Sequence, residues 1–256
     1  MNSPARRVVI LGASNVVRCL PTVIETACSH WGRPLEIMAA IGHGRSYGMT
    51  TTVMGRTLPG ILQCDLWHEW LGRNHLPTAA LITDIGNDVL FGAGPQQIAA
   101  WVRQCLESLV ERSERLVITE LPLDSVSTIG PRRFLFLRSM LFPRSRLSWD
   151  EAISRGQELN GLILELAREF QATVVKPKRD WYGFDPIHIV RRRQKDAWQD
   201  ILAGWSLSEP CNAIGDQRSG PWWQFARPKY RELFGIVQRC QQPAICASDG
   251  TSLSVY

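Results

Sequence analysis

No apolar stretch in the sequence is long enough to cross a bilayer, and the run Val8 to Leu11 near the N-terminus is too brief for the core of a signal peptide. The expectation is a cytoplasmic protein without a transmembrane segment. The cysteines number seven, with no CxxC pair and no regular spacing, which argues against a disulfide framework and against a zinc ribbon. Reduced thiols fit better. His68-Glu69 lacks the second histidine of a zincin pattern, and Gly12 to Val17 contains no second or third glycine of a dinucleotide fingerprint. No metal and no cofactor is expected. The net charge of +5 is modest, a solubility feature rather than the footprint of a nucleic-acid partner.

What is present is the balance of an ordinary globular protein: 45% hydrophobic and 21% charged residues in a chain of 256. That length suits one large domain with an appendage. Val8-Val9-Ile10-Leu11 is a β-branched run ending at Gly12, and apolar residues at helical spacing follow from Val16 to Trp31. Further strands are predicted over Leu35 to Ile41, Ala79 to Ile85, Leu116 to Leu121 and Thr173 to Lys176, with helices over Pro95 to Arg112, Asp150 to Phe170 and Arg191 to Trp205. Alternating strands and helices imply an α/β domain with a parallel sheet covered on both faces, here mainly five-stranded. Residues 1–205 form this domain, with an insertion over about 122–147. Residues 206–256 are a C-terminal extension rich in Pro, Gly and Gln, whose Trp222-Trp223 pair points to packing on the core.

In a parallel sheet, ligands bind at the loops beyond the carboxyl ends of the strands. Four unusual sequences fall there. Gly12-Ala13-Ser14-Asn15 stands where the first strand turns into a helix, a place that exposes a serine hydroxyl and aims backbone N–H groups at an anion, although a serine there also serves as a helix cap. The loop Gly42-His43-Gly44-Arg45 offers glycine N–H groups, from Gly44 or from Gly42, and Asn87 offers a side-chain amide; each is also at home in a turn. In Asp185-Pro186-Ile187-His188 the proline favours a type I turn, bringing a carboxylate to an imidazole three residues on. Such an aspartate holds the histidine tautomer and stabilises the imidazolium formed when the ring takes a serine proton.

Ser, Gly, Asn and Asp-x-x-His, each at the end of a different strand and in this order, resemble the SGNH (GDSL-like) hydrolase superfamily over about residues 6 to 205. The resemblance implies a flavodoxin-like three-layer α/β/α sandwich and hydrolysis of carboxylic or thio-esters. It makes Ser14 the nucleophile and His188 its base, with Asp185 completing the triad. The oxyanion donors would be the N–H groups of Ser14 and Gly44 and the Asn87 side chain. The sequence departs from the family pattern at Ala13, where aspartate is usual, at Asn15, where leucine is usual, and at Ile85, where glycine is usual.

Arg191, Arg192 and Arg193 open the last helix just past His188, against the preference of the helix dipole, and Arg45 adjoins the oxyanion glycine. A positive rim of Arg45, Arg191 and Arg192 around the site would favour an anionic ester, while solvated arginines paired with acids such as Asp196 explain the same residues. The insertion reads as a lid over an acyl pocket, as a membrane-surface segment, or as a helix packed on the core. The expected substrate is a small-molecule or glycan ester. The rival readings are an acyltransferase passing the acyl group to a sugar and a non-catalytic interaction protein that keeps the fold.

Overall fold

The computed structural model of the protein describes residues 3–142, 145–207, 223 and 225–256. The chain opens with strand β1 (Arg6–Leu11), helices α1 (Ser14–Arg18) and α2 (Leu20–Trp31), strand β2 (Leu35–Ala40), the short hairpin β3 (Thr51–Val53) and β4 (Arg56–Leu58), and helix α3 (Leu66–Gly72). Strand β5 (Thr78–Ile82), helices α4 (Asn87–Leu90) and α5 (Pro95–Val110), and strand β6 (Arg115–Thr119) follow. Next come α6 (Leu123–Val126), α7 (Pro131–Leu141), α8 (Trp149–Glu169), strand β7 (Thr173–Val175) and helix α9 (Gln194–Leu202). Four strands close the chain: β8 (Tyr230–Leu233), β9 (Ile236–Arg239), β10 (Ile245–Cys246) and β11 (Ser252–Val255).

The expected helix over 16 to 31 is two helices that meet at Cys19. Pro21 stands in the first turn of α2, where its missing N–H costs nothing. The arginine run 191–193 is a 3-10 turn ahead of α9 rather than part of an α-helix.

The main sheet runs in the order β10-β11-β2-β1-β5-β6-β7. Its five strands from β2 to β7 are parallel, in the order of a flavodoxin-like sheet. Side chains alternate across β1 and so divide the core into two layers. Val8 and Ile10 pack with Val23, Ile24 and Trp31 of α2 and Trp198 of α9. On the other face, Val9 and Leu11 pack with Ile98 and Val102 of α5 and Ile163 of α8. This is a three-layer α/β/α sandwich. No helix among the described residues is long and apolar enough to cross a membrane.

The sheet is wider than the five strands read from the sequence. Strand β11 lies parallel to β2, and β10 lies antiparallel to β11. Strands β8 and β9 join β3 and β4 in a second, antiparallel sheet of order β3-β4-β8-β9. Two-residue turns close both of its hairpins, Met54-Gly55 and Phe234-Gly235, with all four residues at positive φ. That conformation matches the twist of the flanking strands and is why glycine stands second in each. Trp223 and Tyr256 are buried in the core, and Trp222 lies outside the described residues.

Candidate active site

The first loop beyond the sheet is tight. A side chain at Gly12 would come within 2.7 Å of Val16 and 2.9 Å of Thr83, so only glycine lets β1 turn directly into α1. Ala13, which has no capping side chain, takes the N-cap position, and Ser14 is the first helical residue. The Ser14 hydroxyl therefore does not cap the helix. It lies 2.8 Å from Nε2 of His188. Nδ1 of His188 in turn lies 2.5 Å from Oδ2 of Asp185, whose other oxygen accepts the Ile187 N–H at 3.1 Å. Burial pushes the Asp185 carboxyl up, but hydrogen bonding to His188, its charge, the Ile187 N–H and Arg18 outweigh it and hold the group below its ordinary value. An ionised Asp185 accepts a hydrogen bond from the Nδ1–H, which leaves Nε2 free to accept from Ser14.

The residue after the serine binds the two halves of this arrangement. The Asn15 amide nitrogen donates to Asp84 Oδ1 and to the Ile187 carbonyl, both at 2.8 Å, and its oxygen accepts the Ile189 N–H at 2.9 Å. Asn15 thus clamps the chain on both sides of His188. Asp84 Oδ2 accepts the N–H groups of Ala13 and Asn15 at 2.9 and 3.0 Å, straddling Ser14. The Ser14 N–H between them makes no hydrogen bond to a described residue. A carboxylate absent at position 13 is present at position 84, facing the same turn. Asp84 was not legible as a site residue because the apolar run 79 to 85 reads as one strand. The strand stops at Ile82, and Asp84 turns away with φ +59°, a left-handed conformation that aspartate tolerates.

Replacing Asn15 with Leu leaves Asp84 Oδ1, the Ile187 carbonyl and the Ile189 N–H short of partners, a penalty of about 1–3 kcal/mol for each buried group. We expect a loss of roughly 3 kcal/mol in stability and about 10- to 100-fold in kcat, since the imidazole loses its alignment. Denaturant titration beside steady-state kinetics reads both, and an unaltered kcat would remove Asn15 from the positioning of His188.

Gly44 has φ +59°, and a Cβ there would meet Val53 at 2.6 Å; its carbonyl accepts the Thr51 hydroxyl at 3.0 Å. A side chain at Gly42 would meet Leu58 Cδ1 at 2.3 Å, so Leu58 would have to move, whereas at Gly44 the positive φ itself favours glycine. Asn87 begins α4 and is buried, and its Nδ2 has no hydrogen-bond partner among the described residues. A buried, unpaired amide donor is costly unless something outside the free protein occupies it.

Asp88, next to Asn87, accepts the Tyr47 N–H at 2.9 Å and so holds the glycine loop against α4. Burial raises its pKa from 3.8 to about 6, against the smaller opposing effects of Ser46 and the Tyr47 N–H. A carboxyl whose pKa is higher in the folded state binds its proton more tightly there. Stability from this group is therefore greatest below pH 3.8, falls through the window to about 6, and is flat above it. The fall is of the order of 3 kcal/mol. Asp88→Asn should remove it, so the difference in denaturation midpoint between variant and wild type should widen from pH 4 to pH 7. A constant difference would refute the assignment.

Arg45 does not join the expected positive rim. Arg45 is fully buried, and its guanidinium donates to the carbonyls of Pro59, Ile41 and Tyr256, joining the glycine loop to the end of β11. Burial lowers its pKa, and it faces no substrate. Arg191 and Arg192 are exposed on the 3-10 turn and do not line the cavity beside Ser14. The cation that acts on Asp185 is Arg18, at the end of α1.

That cavity has a volume of about 130 Å³. Ser14, Asn15, Asn87 and Asp185 form its polar side, and the insertion supplies Leu123, Val126, Ile129, Phe134, Leu137 and Phe142. Among the described residues, no group of three His, Cys, Asp or Glu side chains is placed to hold a metal ion.

No family model matches the chain, and no curated protein matches it in sequence. The structure is similar to that of the inhibitor-bound aryl esterase of M. smegmatis, with TM-score 0.50 and 14% identity over 76% of this chain and 95% of that one. The chain shares the three-layer fold of that esterase. Other similar structures are the psychrotrophic esterase EstA from Pseudoalteromonas sp., with TM-score 0.49 and 14% identity over 78% of this chain and 97% of that one, and the acetylxylan esterase Axe2 from Geobacillus stearothermophilus, with TM-score 0.49 and 8% identity over 81% and 99%. At these identities the likeness concerns the fold alone.

Proposed function

We propose that the protein is a serine hydrolase of carboxylic esters that works through an acyl-enzyme. The observation that carries this reading is the unbroken chain Ser14 Oγ to His188 Nε2 at 2.8 Å and His188 Nδ1 to Asp185 Oδ2 at 2.5 Å, with the unpaired Asn87 amide beside the same cavity. Ser14 attacks the ester carbonyl as His188 takes its proton. The carbonyl oxygen becomes an oxyanion, received by the Ser14 N–H, the Gly44 N–H and Asn87 Nδ2. His188 then passes the proton to the leaving alcohol, which departs and leaves Ser14 acylated. Water, activated by the same ring, releases the acid and restores the hydroxyl. Asp185 stays ionised throughout and stabilises the imidazolium.

The rest of the site supports this reading by what it prevents. Asn15 and Asp84 engage the N–H groups on either side of Ser14 and the peptides around His188, which leaves the Ser14 N–H for an oxyanion. A fluorophosphonate probe, which traps an activated serine by the same attack, should label the wild-type protein at Ser14 and leave Ser14→Ala unlabelled. A folded wild type that reacts with neither the probe nor p-nitrophenyl acetate would leave a non-catalytic protein that retains the fold.

A further inference from the structure

The cavity beside Ser14 has chemistry of its own. Its charged edges are already engaged: Glu120 accepts from the Asn160 amide at 2.7 Å, Arg138 donates to the Leu147 carbonyl at 2.6 Å, and Asp84 is held by Ala13 and Asn15. The walls beyond them are apolar and come largely from the insertion between β6 and α8. Helix α7 is two-faced: Phe134 and Leu137 are buried and line the cavity, while Leu135, Phe136 and Met140 are exposed. The insertion is anchored to the histidine loop, because Arg133 lies over the Phe184 ring at 4.1 Å and donates to the Gly183 and Phe184 carbonyls. The wall therefore has a defined position relative to the triad.

The side of the ester that enters follows from the proton path. His188 must reach the leaving alcohol, and His188 does not line the cavity, whereas Ser14 and Asn87 do. The alcohol consequently leaves on the imidazole side, and the group behind the carbonyl carbon extends inward from Ser14. Resting on the esterase reading above, we infer that the cavity is an acyl-chain site and that the substrates are esters of medium-chain carboxylic acids. A cavity of about 130 Å³ is close to one that accepts a ligand of roughly six carbons. Gly156 of α8 sets the depth: it lines the cavity, and a Cβ there would lie 3.1 Å from Leu123 Cδ2 and 4.0 Å from Leu121 Cδ2.

The test is a series of p-nitrophenyl esters from acetate to dodecanoate. Each methylene that enters an apolar site is worth about fourfold in kcat/KM, so the wild type should climb to a maximum near hexanoate and fall beyond it. In Gly156→Leu the ratio of hexanoate to acetate kcat/KM should drop at least tenfold. Ala152→Leu, which fills the cavity from one turn earlier in α8, should move the ratio the same way and covers a Gly156 variant that fails to fold. Phe136→Ser, on the exposed face of α7, should keep the wild-type profile. Acetate hydrolysis with a flat chain-length profile, or a ratio unmoved in both filling variants, overturns the acyl site and leaves the esterase intact. A folded protein that hydrolyses none of the esters overturns both.

Discussion

Ser14→Ala and His188→Ala are each expected to lower kcat on p-nitrophenyl esters by about 10⁵- to 10⁶-fold, and the double variant should be hardly worse than either single one. The reason is that the two groups act in one event. Without the ring, the hydroxyl 2.8 Å away keeps its proton and attacks poorly; without the hydroxyl, the ring has nothing to activate. Residual activity then comes from the oxyanion donors and from binding. Additive losses in the double variant would mean that the two side chains do not share a step, and the triad would have to be abandoned. Circular dichroism should show all three proteins folded, because removing one buried hydroxyl or one loop imidazole leaves the two-layer core untouched.

Asn87→Ala should cost about 10²- to 10³-fold in kcat while KM stays within a few-fold, since the amide is used when charge develops on the oxygen. The same substitution should not destabilise the protein. In the free protein, Asn87 Nδ2 is buried without a partner, so its removal takes away an unmet donor rather than a contact. This opposition separates the catalytic account from a structural one. A turn or cap residue would lose stability on truncation and spare kcat. Kinetics and a urea midpoint on the same preparation distinguish the two outcomes.

Much of the architecture was legible because it rests on local chemistry. Apolar runs, most of them ending in glycine, helical spacing between them, and Pro95 in the first turn of its helix mark the parallel α/β frame. The second sheet was not legible. β3 and β4 are three residues each, too short for an alternation to stand out, and their partners β8 and β9 lie some 170 residues away. Its one local sign was glycine in two-residue turns, in Thr52-Val53-Met54-Gly55-Arg56-Thr57 and Leu233-Phe234-Gly235-Ile236. Arg45 misled for a related reason: next to a glycine loop an arginine reads as a surface cation. Here the end of β11 folds over it and its donors go to backbone carbonyls.

By itself the sequence determined the parallel frame, the order of the loops and the residue types each loop carries, because hydrophobic period and turn chemistry act over a few residues. Only the tertiary structure decided that Ser14 and His188, 174 positions apart, lie within a hydrogen bond. It also decided that Asn15 and Asp84 brace them, that Arg45 is buried rather than on a charged rim, and that the insertion walls an apolar cavity. Those outcomes depend on which strands become neighbours in the sheet and on where burial removes water, and neither quantity is written in any short stretch of residues.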